Sequence, residues 1–522
     1  MTAGSTERKG ILMNKQEVII IGAGPTGLTL ALELSRYHIP FRIIAKDSGP
    51  GEASRAMAVV PRTLEFYRQF GIDQEVINNG IKLDNILVRV EGEEKAKVNF
   101  QQLGGDLSPY PFVLTYPQDD HEAFLIEKLK KQGTEIEWGT ELVSFSHNEA
   151  GTTAIVKKEG ELEEIQSAYL VGCDGASSVV RTELDLDFKG GTYPQIFCVI
   201  DIEGEGEAIS SRSMNMCFSG DEFAIFMPVR SSGTTRLISI IPKELQDQGK
   251  TSFEEIKPFL ESAFKVRIDK VNWYSTYSVH HRVAERFQKG RVFLAGDAAH
   301  IHSPAGGQGM NTGIGDAVNL GWKLASVIQK RADTTVLETY SPERRDFAKV
   351  LVASTDRAFT RIVAKDKPSK LLRKNIIPAG IPLLNYSAFI RRIVFNILSQ
   401  IRVNYKKSEL SYGHKNRLYA GQRLPYTGYN YDALKEMDWQ IHIYGQASAS
   451  MKEFASMHHI TLFEWVWNKR AAKAGLVEDA LCFIRPDGHI GFLSEYQDTH
   501  ELKAYMREHG IVTEAAIGSK TK

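Results

Sequence analysis

The stretch EVIIIGAGPTG at 17–27 constrains this chain more than any other. Val18, Ile19, Ile20 and Ile21 form an apolar, mostly β-branched run of the kind that makes a buried strand. It runs into Gly22-x-Gly24-x-x-Gly27, and a helix is expected over 28–36. A bare glycine pattern specifies little. Between a strand and a helix it allows a tight turn, close approach of backbone to a pyrophosphate, and helix–strand packing. The expectation is a dinucleotide site at the edge of an α/β sheet. The next strand, FRII at 41–44, should end on an acid that holds the adenosine ribose. Ala45 stands there instead, followed by Lys46 and Asp47, so either Asp47 substitutes or that contact is missing.

A second strand–loop–helix unit lies far downstream, in RVFLAGDAAHIHSPAGGQGMNTGIGDAVNLGWKL at 291–324. The apolar run 292–295 reads as a buried strand that Gly296-Asp297 ends, and a loop with Pro304, Gly306, Gly307 and Gly309 follows. From about Met310 the pattern is helical, with Leu320, Leu324 and Val327 on one face. The open amides and positive dipole end of that helix would aim at the loop. Such an end suits an electron-rich group, for example a reduced flavin ring, although a ligand-free βα turn would carry the same pattern. The stretch YLVGCDGASSVVR at 169–181 repeats the logic, with an apolar strand, Asp174-Gly175 and then small residues.

At 522 residues the chain is long enough for two or three domains. Its 64 basic and 64 acidic residues cancel, which removes any bulk electrostatic case for nucleic acid or a charged membrane. Cys173, Cys198, Cys217 and Cys482 show no CxxC spacing, so neither a disulfide framework nor a zinc site is expected. No apolar segment precedes Val18, so no secretory signal is expected and a cytoplasmic location fits. His300 and His302 share an HxH spacing, but no metal is expected there. Arg55 and Arg62 flank a predicted amphipathic helix; they could meet phosphates or flavin, though solvated arginines fit the spacing better.

From about 192 to 278, short alternating strands predict a mostly antiparallel sheet inserted into the α/β pattern. Met214, Met216 and Phe218 share one strand face, as do Phe223, Ile225 and Met227, and these stripes read either as core or as the wall of a substrate pocket. After Tyr340 the chain is helical. The segment 386–401, YSAFIRRIVFNILSQI, is amphipathic, and Arg391 and Arg392 argue against a span. It would lie on a membrane surface or, more simply, dock on its own protein. From about 421 a mixed α/β pattern runs to the end.

Gly22-Ala-Gly24-Pro-Thr-Gly27, Cys173-Asp174-Gly175 and Gly296-Asp297-Ala-Ala-His300, in this order, resemble the flavoprotein aromatic hydroxylases. These are single-component FAD monooxygenases with the fold of para-hydroxybenzoate hydroxylase. The chain looks most similar to their phenol and polyketide hydroxylase branch, which includes rifampicin monooxygenases. The likeness covers 17 to about 350, with SRA at 54–56 and YSPERR at 340–345. It implies an α/β architecture: a Rossmann-like FAD-binding domain (14–76, 106–190 and 279–365), an inserted, mostly antiparallel substrate domain (77–105 and 191–278), a helical linker (366–415) and a thioredoxin-like C-terminal domain (416–522). Cys482 is the only cysteine of that tail, which excludes dithiol chemistry and leaves a packing or homodimer role.

By the same resemblance, Gly22, Gly24 and Gly27 would hold the FAD pyrophosphate, with Asp174 beside it. Arg55 and Gln118 would contact the cofactor near its phosphates and ribityl chain, and Lys46 and Asp47 would lie at the ribose end. Asp297 would bind ribityl hydroxyls. Pro304 and Gly307 would sit by the isoalloxazine, with the backbone of Gly309, Met310 and Asn311 toward its C2 carbonyl. No catalytic acid or base is implied; Pro304, Gly307 and Asn311 are the flavin-facing candidates. The implied activity is hydroxylation of a small aromatic or phenolic compound (a simple phenol, a polyketide or an antibiotic). NADPH or NADH would reduce FAD and O₂ would be the co-substrate, through a flavin C4a-hydroperoxide. A flavin halogenase is disfavoured, since Trp465-Val-Trp467 does not match the halogenase signature. A reductase of the same superfamily and a non-enzymatic FAD or aromatic-ligand binder are the alternatives.

Overall fold

The computed structural model describes residues 16–51, 56–246, 251–303, 307–364, 367–371, 380, 387–415 and 417–512. At its centre, β1 (Gln16–Ile21) leads into α1 (Pro25–Arg36) and returns through β2 (Phe41–Ile44). β1 also pairs in parallel with β3 (Glu161–Gly172), which in turn pairs in parallel with β4 (Val292–Leu294). Val18, Ile19, Ile20, Leu170, Val171 and Phe293 are fully buried. That explains why these strands read as continuous apolar runs and not as alternating ones. α1 begins at Pro25, three residues before the expected start, because proline at the first helical position loses no needed hydrogen bond.

Two long helices follow β4. α2 (Gly309–Ile328) packs along α1 so closely that a Cβ on Gly321 would lie 2.5 Å from Glu33 Cγ. α3 (Tyr340–Val363) runs back toward the second sheet.

The second sheet has eight strands, in the order His300–Ile301, Val266–Ala284, Phe188–Gly206, Thr235–Ile240, Glu222–Pro228, Ser213–Ser219, Asn85–Val90 and Glu93–Asn99. All pairings are antiparallel except that of Ser213–Ser219 with Asn85–Val90. Alternation sends Cys217, Ala224, Phe226 and Leu237 to one face, where Ile256, Leu260 and Phe264 of the helix Phe253–Phe264 cover them. Met214, Ile225, Met227 and Ile238 take the other face and meet Met57 and Val229.

Past α3, the helix Ala388–Ser399 lays Ile390, Val394, Phe395 and Leu398 against Leu83, Phe100 and Leu103, so its apolar side docks on this protein. No helix among the described residues is long and apolar enough to cross a membrane. A four-stranded sheet closes the chain, in the order Thr461–Trp465, Gln440–Tyr444, Leu481–Ile484 and Ile490–Ser494. Helices Ala449–Met457 and Thr499–Glu508 pack on it, and its apolar side is continuous with the core around α1 and α2. The cysteines are free and buried.

Candidate functional site

Parallel register brings the carboxyl ends of β1, β3 and β4 together, with Ile21 beside Gly172 and Gly172 beside Leu294. Gly22, Cys173-Asp174 and Ala295-Gly296-Asp297 therefore leave the sheet at one edge, where ligands of open α/β sheets bind. The three glycines of the first turn do different work. Gly22 has φ +106° and a Cβ there would lie 2.4 Å from the Cys173 carbonyl oxygen, while a Cβ on Gly27 would lie 2.0 Å from that of Gly22. Gly24 has nothing within 4 Å of its Cβ position. Two glycines thus permit packing, and the third leaves an open cradle at the uncapped start of α1.

Asp174 is largely buried. Its Oδ2 accepts from the Val180 amide at 3.1 Å, while Oδ1 has no partner. Burial pushes its carboxyl up, against the opposing pull of the Ser178 and Val180 hydrogen bonds. An orphaned buried acceptor at this edge of the sheet fits a hydroxyl-bearing cofactor. The open cradle, the orphan oxygen and the uncapped helix end together suit FAD.

The turn carrying Asp297 is held from beneath. Gly296 has φ +62°, and both it and Gly313 are packed on Thr26, so α1, the turn and α2 meet at one threonine. Asp316 of α2, fully buried, accepts from the Gly296 amide at 2.9 Å, from His300 Nε2 at 2.7 Å and from Arg344 Nε at 2.6 Å. Burial pushes the Asp316 carboxyl up, but Arg344 and His300 outweigh it and hold the group below its ordinary range. Asp297 itself is exposed on the open side. Asp316 shows in the sequence only as an acid inside a largely apolar helical stretch, and Arg344 lies in the YSPERR motif with nothing there to indicate its partner.

Arg55 and Pro304 lie outside the described residues. Gly307 has φ +62°, and a Cβ on it would meet Ala58 at 2.8 Å, so the loop lies tight against the segment after Arg55. α2 starts without a side-chain cap and without an acid in its first turn, leaving its first amides open. The Asn311 side chain is tied down inside the protein. It donates to the carbonyls of Ala58 at 2.8 Å and Gly307 at 2.9 Å and accepts from the Val60 amide and the Thr63 hydroxyl. All its hydrogen-bonding capacity is spent inside the protein, so only its backbone can face a ligand.

Gln118 also serves the Arg55 segment, since its amide and side chain both pair with Ala56 while its Nε2 donates to Glu122. Lys46 and Asp47 are exposed, and Ala45 is buried with its amide on the Glu137 carbonyl. Arg62 is a correction, being buried and paired within the protein where the sequence predicts a solvated arginine. It is 2% exposed, pairs with Glu65 at 3.0 Å and donates to the Asp487 carbonyl at 3.0 Å. It anchors the C-terminal sheet, because a buried guanidinium requires such partners.

That anchor belongs to a buried ionic cluster which sequence patterning did not reveal. Glu343 accepts from Arg485 at 2.7 Å and Lys323 at 2.8 Å, and Arg485 also donates to Asp487 at 2.7 Å. Desolvation pulls the Lys323 ammonium down to about 8 despite the Glu343 charge.

The six sheet residues expected as core or pocket wall divide. Met214, Ile225 and Met227 share the apolar cluster with Met57 and Ile238, next to the glycine loop side. Phe218 and Phe223 pack with Val88 and Ala96 at the far end, and Met216 touches that group and the docked helix. Ile238 also belongs to a cluster with Tyr193, Phe197 and Val279. There the Tyr193 hydroxyl donates to Asp356 of α3 at 2.5 Å.

Comparison with known proteins decides the family. The FAD binding domain model matches residues 15–355. This chain belongs to the FAD-binding monooxygenases that act on aromatic compounds. It is 34% identical over 411 residues to the 6-methylpretetramide 4-monooxygenase of Streptomyces rimosus, covering 76% of this chain and 71% of that one. The anhydrotetracycline hydroxylase OxyS from Streptomyces rimosus has 26% identity and a TM-score of 0.76, covering 96% of this chain and 100% of that one. The flavin-dependent monooxygenase PieE, solved with FAD and substrate, shares the fold at 21% identity, with a TM-score of 0.80 over 95% of this chain and 98% of that one. The enzyme is thus an FAD-dependent aromatic monooxygenase, as its three ordered motifs implied.

Proposed function

We propose that this monooxygenase uses NAD(P)H and O₂ to hydroxylate a phenolic compound of the simple-phenol, polyketide or antibiotic type. The observation that carries the reading is a juxtaposition. Gly307 lies against Ala58, and the neighbouring Met57 packs with the incompletely buried Met214, Ile225 and Ile238, so this apolar face adjoins the end of the glycine loop. Bound FAD supplies the redox chemistry, taking electrons from the nicotinamide and activating O₂. The chain's own residues bind, orient and exclude water. Gly24 and the start of α1 would receive the pyrophosphate, with Arg55, Gln118, Lys46 and Asp47 assigned to the phosphate and ribose side. Asp174 and Asp297 would accept from the cofactor's hydroxyls, and Pro304, Gly307 and the amides of Gly309, Met310 and Asn311 would lie on the ring side. Those amides favour negative charge on the ring when reduced. The thioether and aliphatic wall fits a flat aromatic face and keeps water away from the reacting atoms. No acid–base residue is required for this step.

The division into an FAD-binding domain, an inserted substrate domain, a linker and a thioredoxin-like tail that supports packing or a homodimer belongs to the same reading. The mixed four-stranded sheet with flanking helices supports the last assignment.

The test uses FAD-loaded protein and a panel of phenols and polycyclic aromatics, following NADPH and NADH oxidation under ¹⁸O₂ with mass analysis of products. Ligand-stimulated oxidation with one labelled oxygen in the product is expected, and poorly fitting rings should yield H₂O₂ instead. Binding without any oxidation would favour the non-enzymatic reading. Reduction without oxygen incorporation would favour a reductase.

A further inference from the structure

We propose that Asp356, together with Tyr193 and His281, is where this monooxygenase recognises a hydroxyl group of its substrate, and that the same face rejects aromatic carboxylates. The inference rests on the proposed function and specifies its substrate class. Tyr193 sits at an irregularity of the strand Phe188–Gly206, between the paired residues Thr192 and Ile196, and shares a cluster with Ile238. Ile238 also belongs to the cluster of Met214, Ile225 and Met227, so Tyr193 is continuous with the candidate substrate wall. Ser303, which leads toward the glycine loop, adjoins the Tyr193 hydroxyl. The Tyr193 hydroxyl uses its proton on Asp356 Oδ1 at 2.5 Å. His281 packs against Tyr193 with the rings tilted by 60° and their centroids 4.9 Å apart, and its Nδ1 stops 4.0 Å from the same carboxylate oxygen. That separation is too long for a hydrogen bond, and the buried Nδ1 has no partner. A hydroxyl placed between the two would serve both groups at once, donating to the carboxylate and accepting from the imidazole.

The rest of the face explains the rejection. Alternation puts Met214, Ile225, Met227, Ile238, Phe197, Tyr277 and Val279 on the same side. Among the described residues of the sheet's central strands, Arg236 is the guanidinium on that side. Asp201 takes it with two hydrogen bonds of 2.7 Å each, and Arg236 is fully buried. An aromatic acid would bring a second carboxylate toward Asp356 with that cation already spent, and like charges so placed disfavour binding. A neutral phenol brings a hydrogen-bond donor and no second charge. This polar point is thus matched to a donor on an otherwise apolar ring, which is how few polar groups fix orientation in an apolar pocket.

The test titrates full-length, FAD-saturated protein with naphthalene, 2-naphthol and 2-naphthoate, reading the flavin absorbance change without NADPH. 2-Naphthol should bind about tenfold tighter than either of the others, as one hydrogen bond to a charged acceptor implies. Asp356→Leu should erase the preference, and Asp356→Asn, which still accepts through its carbonyl, should keep part of it. The wild-type comparison stands whatever the variants' folding. Equal or tighter binding of 2-naphthoate, or an undiminished preference in Asp356→Leu, overturns the proposal. Binding by none of the three overturns it together with the aromatic pocket. A phenol preference without oxygen incorporation sinks the proposed function alone.

Discussion

Asp316→Asn tests whether the Gly296-Asp297 turn is held by a charge buried beneath it. In the wild type, Oδ2 receives the Gly296 amide and His300, and Oδ1 receives Arg344. Asparagine has the same shape but one acceptor, so whichever way the amide lies, its NH₂ faces a donor. With the carbonyl toward Arg344, the Gly296 amide loses its partner and the turn presenting Asp297 shifts. With the carbonyl toward Gly296, a buried guanidinium loses its counter-charge. Hydrogen bonds to charged groups contribute ~1.5–3 kcal/mol, and a broken buried pair costs ~3–5 kcal/mol. If ~2–3 kcal/mol of this reaches the turn, FAD should bind about 30- to 150-fold more weakly. The assay is FAD titration by fluorescence quenching of apoprotein, with far-UV circular dichroism to confirm the fold. Arg344→Met serves as the control, since it removes the far end of the chain while Asp316 can still take the Gly296 amide; its FAD affinity should fall less than that of Asp316→Asn. A dissociation constant within about threefold of wild type in a folded Asp316→Asn protein would refute the argument. The turn would then be held by its backbone and by Thr26 alone.

Two further outcomes are expected. Ala45→Glu should tighten FAD binding by about 10- to 100-fold by restoring a ribose acceptor; an unchanged constant would remove the missing-contact argument, and weakening in Asp47→Ala would assign the contact to Asp47. Stability should also fall in acid because of Asp316, Glu343 and Asp487. Burial pushes all three carboxyls up. Arg344 and His300, Arg485 and Lys323, and Arg485 and His489 respectively outweigh it and hold them below their ordinary values of 3.8, 4.5 and 3.8. The unfolded chain then binds more protons, so their contribution is complete above the ordinary carboxylate range and is lost as pH falls through the folded values. Urea midpoints against pH should show a shallower acid fall in Glu343→Gln, and an identical slope would contradict the assignment.

The local part of this molecule was legible in its sequence. Strand, turn and helix around Gly22, Asp174 and Gly296 are set by neighbouring residues. β-Branched runs, glycines where a Cβ would collide, and proline at a helix start each act within a few positions. Alternation likewise grouped Met214, Met216 and Phe218 in one stripe and Phe223, Ile225 and Met227 in another, while strand register put both stripes on one side of the sheet. What tertiary structure decided was the fate of the polar groups. Arg62 reads as solvated because its helix flank looks polar, yet it binds a carbonyl 425 positions away. Asn311 reads as a backbone at the start of a helix, and nothing near it in sequence shows that Ala58 and Thr63 take its side chain. Tyr193 meets Asp356 across 163 positions, and Glu343 meets Arg485 across 142. Apolar periodicity records only that a face is buried, whereas a buried charge is tolerable only beside a particular partner. Which distant residue becomes that partner depends on how the sheets and helices come to rest against one another, and no single stretch of sequence carries that information.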